Sequence, residues 1–109
     1  MEVKNMYRQF RKEDLTAPPR PEVDLLFGTG GAMSGMMYCD VVEYGECGIH
    51  DDQEGFLVLE GHGKFRIEDE EIPVCPDMAI LIPPHVVHGF KKDPDSPDMK
   101  IFYFHAANK

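Results

Sequence analysis

From residue 36 onward the chain is a series of short β-forming runs, broken at intervals of about ten residues, and that rhythm restricts its fold more than any other feature. Residues 36–44 are rich in β-formers and close at Gly45. Residues 56–60 run into Gly61-His62-Gly63, a short hairpin loop, and out again through 64–67, after which 68–71 read as an acidic turn. Residues 78–82 form a continuous apolar run stopped by Pro83-Pro84, and 86–91 read as the next strand. Asp93-Pro94-Asp95-Ser96-Pro97-Asp98 is a loop by composition, because these residues fix φ or bond their own backbone. Residues 100–105 close the pattern as a strand with three aromatics. No segment carries a helical period. Many short strands without helices predict an all-β sandwich or small barrel.

The first third is less periodic. Ala17-Pro18-Pro19-Arg20-Pro21 reads as an extended arm, since proline lacks an N–H and restrains the residue before it. It feeds a short strand at 22–27 and then Gly28-Thr29-Gly30-Gly31. A glycine cluster after a strand invites a phosphate-loop reading, but no Lys-Ser/Thr pair and no amphipathic helix follow, so a turn is expected. At 109 residues the chain has room for one domain: an arm and edge strands over 1–35 and a barrel over 36–109. Eleven Lys and Arg against twenty Asp and Glu give a net charge of −9. Such a surface lacks the clustered cations that grip phosphate, which argues against nucleic acid and anionic membranes as partners. No apolar run approaches the roughly 20 residues of a membrane span, and the charged start lacks the apolar stretch of a signal peptide. A cytoplasmic location is expected, with Cys39, Cys47 and Cys75 as reduced thiols.

Two histidine clusters carry the chemistry. In His50-Asp51-Asp52-Gln53-Glu54 the His and Glu stand four apart, but Gly55 and the β-run after it argue against a helix. On a straight strand four residues span about 13 Å, too far to share one ion, so His50 and Glu54 converge only if the chain bends at Asp51-Asp52. Glu54 shares parity with Phe56 and Val58, which places it inward if they are inward, and a buried carboxylate needs a partner. In Pro83-Pro84-His85-Val86-Val87-His88 a stiff turn delivers His88 onto a new strand. His62 reads as an exposed turn residue and His85 as lining the mouth. His105 shares parity with Ile101 and Tyr103, on a strand whose inner face is open at this stage. Asp51 and Asp52 read as solvated turn residues, Cys47 as a packed thiol, and Met33, Met36 and Met37 as packing residues.

The spacing of these residues resembles the cupins. The first cupin motif runs Gly, five residues, His-x-His, three or four residues, Glu, six residues, Gly; here His50, Glu54 and Gly61 match its latter half. The second runs Gly, five residues, Pro-x-Gly, two residues, His, three residues, Asn; here Asp77, Pro83, His85, His88 and Lys92 fall in its register. The resemblance covers about residues 36–105 and implies a double-stranded β-helix, or jelly-roll barrel. The departures are these: Val42 stands at the opening glycine of the first motif, Gly48 replaces the first His of the His-x-His pair, Asp77 and His85 stand at the two glycine positions of the second, and Lys92 stands at the Asn.

What the resemblance carries over is His50, Glu54 and His88, a two-His-one-carboxylate set suited to Fe(II), Mn(II), Ni(II) or Zn(II). It implies a metal-dependent enzyme of dioxygenase, isomerase or lyase type on a small oxygenated molecule, with Glu54 able instead to stay off the metal and carry a proton. Pairing into a homodimer through the outer face of one sheet is expected, with the Pro-rich arm and the Met-rich strand supplying apolar surface. A second class stays open: a metal-free module that binds a sugar or small acid, for which Gly48 is the best support.

Overall fold

The computed structural model describes residues 11–14, 22–27, 32–45 and 47–106; the arm at 17–21 and the glycine turn at 28–31 lie outside them. Eight strands are described: β1 (Glu22–Phe27), β2 (Met33–Cys39), β3 (Gln53–Glu60), β4 (Gly63–Ile67), β5 (Glu70–Val74), β6 (Ala79–Ile82), β7 (His88–Lys92) and β8 (Met99–Ala106). The only helical turn among the described residues is 3₁₀, at Lys12–Asp14. A five-stranded sheet has the order β1-β2-β8-β3-β6, and a three-stranded sheet the order β5-β4-β7. This is the all-β double-stranded β-helix that the rhythm and the motifs predict.

The boundaries moved where chemistry competes with propensity. The run expected at 36–44 is strand only to Cys39, and Val41 and Val42 lie exposed after it. The acidic turn expected at 68–71 is narrower: Glu68 takes a φ of 52°, and Glu70 and Glu71 already open β5. β5 is an edge strand, which is why it tolerates Pro73 and a charged face. At the β3–β4 hairpin Gly61 has a φ of +82°, and a Cβ there would stand 2.9 Å from backbone atoms of Pro97 and Met99. A side chain would be excluded on both counts.

Period-2 alternation fills the space between the sheets. On β8 Met99, Ile101 and Tyr103 are fully buried; on β3 Phe56 and Val58, and on β4 and β7 Phe65 and Phe90, point to the same core. Phe56, Phe65 and Phe90 pack with ring centroids 4.6–5.7 Å apart, joining the two sheets. Met33 and Met37 pack against this core, whereas Met36 alternates to the other face, opposite Phe102. The three cysteines are free thiols.

Candidate functional site

The same alternation that builds the core builds the site at one end of it. Continuing the inward rows by one step gives Glu54 before Phe56 on β3, His88 before Phe90 on β7 and His105 after Tyr103 on β8. Glu54 and His88 are only 6% and 7% exposed. Glu54 is paired directly across from His105 in the β3–β8 ladder. His50 comes from the bend before β3, and the chain does turn at Asp51 and Asp52, as convergence required. A two-way backbone bridge between Gly48 and His88, at 2.9 and 3.0 Å, ties that segment to β7, while the N–H of His85 donates to the carbonyl of His50.

Three imidazoles surround one carboxylate. His50 Nε2 lies 2.8 Å and His88 Nε2 3.0 Å from Glu54 Oε1, and His105 Nε2 lies 3.0 Å from Glu54 Oε2. Each ring is fixed at its other nitrogen. His88 Nδ1–H donates to the carbonyl of Val86 at 2.9 Å. His50 Nδ1 faces Asp52 Oδ1 at 2.7 Å, and His105 Nδ1 faces Asp52 Oδ2 at 3.1 Å. With Nδ1 donating in all three, a neutral ring presents a bare Nε2 lone pair to Glu54. Lone pairs directed at a carboxylate are held together by protons or by a cation. Full protonation would set imidazoliums side by side, with His50 4.8 Å from His105 and 5.0 Å from His88, each pair repelling by about 3.5 kcal/mol at an effective dielectric of 20. One cation satisfies the same donors without that repulsion. His50, Glu54 and His88 can each offer an atom to a common ion, all within 4.8 Å of one another.

The carboxylates favour positive charge at this site. Partial burial opposes the charge on His50, but the hydrogen bond and charge of Glu54, reinforced by Asp52, prevail and raise its pKa above the ordinary imidazole value. Asp52 is likewise desolvated, yet the hydrogen bonds and charges of His105 and His50 pull its carboxyl below the usual range.

Above the cluster is a cavity of about 520 Å³, walled by Met37, Val41, Phe56 and Phe90, with Gly48 at its rim. No lysine or arginine is among its described lining residues. A Cβ at Gly48 would stand 3.6 Å from His88 Nε2, so the missing side chain leaves open space directly beside a candidate ligand atom.

The remaining sequence candidates fall elsewhere. His62 keeps a side chain 42% exposed in its turn, yet it is engaged: its Nδ1 meets Asp93 Oδ2 at 2.7 Å and its backbone N–H donates to Ser96 Oγ, fastening the 93–98 loop. His85 is exposed and, instead of lining the mouth, serves the turn. Cys47 turns toward Gly89 and Arg66, away from the site. Lys92 bonds the carbonyl of Ser96 and Asp98 Oδ1. Asp52, read as a solvated turn residue, is instead the anchor for two imidazoles. His105 was the residue left undecided, and its parity with the buried Ile101 and Tyr103 was the signal that places it.

The Cupin domain family model matches residues 41–105. No curated protein matches the chain in sequence. Among solved structures the fold is similar to an RmlC-like cupin family protein of Methanocaldococcus jannaschii (TM-score 0.72, 13% identity, 93% of this chain and 89% of that one). It is also similar to the cupin domain of Schizosaccharomyces pombe Cnp3 (0.71, 12%, 80% and 60%) and to FeII HppE (0.57, 17%, 69% and 42%). The chain spans less than two thirds of the length of those last two. At such identities the likeness concerns the fold.

Proposed function

The chain belongs to the cupin family, and from that premise we propose that its barrel holds one divalent transition metal on His50, Glu54 and His88 and acts on a small oxygenated molecule in the cavity. The observation that carries this reading is the convergence of imidazole nitrogens, each locked by a hydrogen bond at Nδ1, on one buried carboxylate. Anchoring the far nitrogen is how proteins orient metal-binding histidines. The donor set, two imidazoles and a carboxylate with positions left over, suits Fe(II), and also Mn(II), Ni(II) or Zn(II). The structural likeness to FeII HppE supports iron within that range. When bound, the metal would supply Lewis-acid activation of a carbonyl or enediol oxygen.

The chain's own residues do the rest. His50 and His88 hold the metal; Glu54 completes that set or, staying off the metal, carries a proton at the floor of the cavity. With apolar walls and the metal set at its floor, the cavity suits a small molecule with an apolar body and hydroxyl or carbonyl groups at one end. A cytoplasmic enzyme working as a homodimer completes the reading.

Tag-free protein should carry or take up about one equivalent of metal per chain. Metal at a hundredfold excess over its dissociation constant should stabilise the fold by about 2.7 kcal/mol. His88→Ala should remove most of that gain, while His62→Ala and His85→Ala leave it. If Fe(II), Mn(II), Ni(II) and Zn(II) all fail to raise the melting temperature of metal-free protein, the metal reading falls. The second reading then takes over: a sugar- or small-acid-binding module with Glu54 and His88 as hydrogen-bonding contacts. Gly48, standing where a third imidazole would come from, is the observation that favours it.

A further inference from the structure

The first motif lacks a histidine at residue 48, but the site does not lack a third imidazole. We infer that His105, at the end of β8, is a metal ligand of the same centre, replacing from the last described strand what the first motif does not supply, and that Asp52 holds two of the three rings. This rests on the metal reading above and goes beyond it.

Three observations carry the assignment. His105 is paired across from Glu54, so the ladder itself delivers its ring to the carboxylate. Its Nε2 lies 3.0 Å from Glu54 Oε2, the oxygen that His50 and His88 do not use. Its Nδ1 lies 3.1 Å from Asp52, whose other oxygen is 2.7 Å from His50 Nδ1. A carboxylate behind a ring whose other nitrogen faces a donor cluster is the arrangement of a ligand held in its metal-binding orientation. Asp52 does this for His50 and His105 at once, one oxygen to each. The third nitrogen therefore comes from the β8 side of the centre, and the Gly48 side, beside His88 Nε2 and open to the cavity, is left for an exogenous ligand.

The test follows ring nitrogens one by one. Metal-free ¹⁵N-labelled protein is titrated with Zn(II), and histidine Nε2 resonances are read by long-range ¹H–¹⁵N correlation. Three rings, His50, His88 and His105, should shift together at one equivalent, and His62 and His85 should stay in place. His105→Gln should weaken Zn(II) binding at least tenfold, and Asp52→Asn by 10–100-fold with one-to-one stoichiometry kept. Shifts confined to His50 and His88 would overturn the assignment and leave the metal reading intact. No shift at any ring, with no uptake of the other three metals, would overturn both. The wild-type titration decides the assignment even if His105→Gln does not fold.

Discussion

Asp77 and His85 adopt φ values of 73° and 64°, and they stand at the two positions where the second motif carries glycine. The backbone has kept the left-handed turns although the residues that take them most easily are gone, and Asp and His are among the side chains that tolerate that region. His85→Gly should therefore leave stability unchanged or slightly higher, whereas His85→Val should cost about 1–2 kcal/mol in chemical denaturation. A loss with glycine as large as that with valine would show that the His85 side chain, not the turn, matters. Cys75 is exposed, so Cys75→Ser should change the unfolding midpoint by less than about 0.5 kcal/mol. At this scale the sequence was legible wherever a spacing or a parity could be counted: His50, Glu54 and His88 meet where the motifs put them. Asp52 was not legible, because its role depends on the rings it touches in three dimensions, and an aspartate in a bend has no pattern of its own.

The loop 93–98 shows how an element without regular structure is fixed. Asp98 accepts a hydrogen bond from the Tyr38 hydroxyl and lies 3.0 Å from Lys92 Nζ, while His62 meets Asp93. The Tyr38 contact, then Lys92, hold the Asp98 carboxyl below its ordinary range, and the same contact pushes Tyr38 up to about 12. A depressed carboxyl stabilises the fold above its unfolded pKa of about 3.9, and that stability is lost as pH falls through the lower folded value. Asp98→Asn should therefore flatten the acid limb of a stability profile below about pH 4. At neutral pH it should cost under about 1 kcal/mol, because the pair is partly solvated. An unchanged acid limb would mean the contact is not formed in solution. Among strands, β8 was legible almost to the residue from its aromatics. β5 was not, because an edge strand has only one ladder to satisfy and can hide under Glu70, Glu71 and Pro73.

On the outer side of the larger sheet, Leu81 is 63% and Phe104 38% exposed, and both are cross-strand neighbours of Gly55. Phe102 and Leu57 continue that row. This is the face through which a homodimer is expected; Met36 lies on the same side but is only 5% exposed, so Leu81 and Phe104, not the methionines, carry the open apolar surface. Light scattering at micromolar concentration should give twice the chain mass, and Phe104→Asp with Leu81→Asp should halve it without loss of the β circular-dichroism spectrum. A wild-type monomer would remove the dimer from the proposal. The strand order carries one more consequence. β8 is the last of the described strands along the chain, yet it sits at the centre of the five-stranded sheet, between β2 and β3. As the chain leaves the ribosome, β2 and β3 stand with bare edges until some sixty-odd further residues have followed β2, roughly several seconds at ordinary synthesis rates. The barrel cannot zip up from one end, so refolding should be slow for its size, in milliseconds to seconds, and the nascent chain is most exposed to aggregation just before β8 arrives.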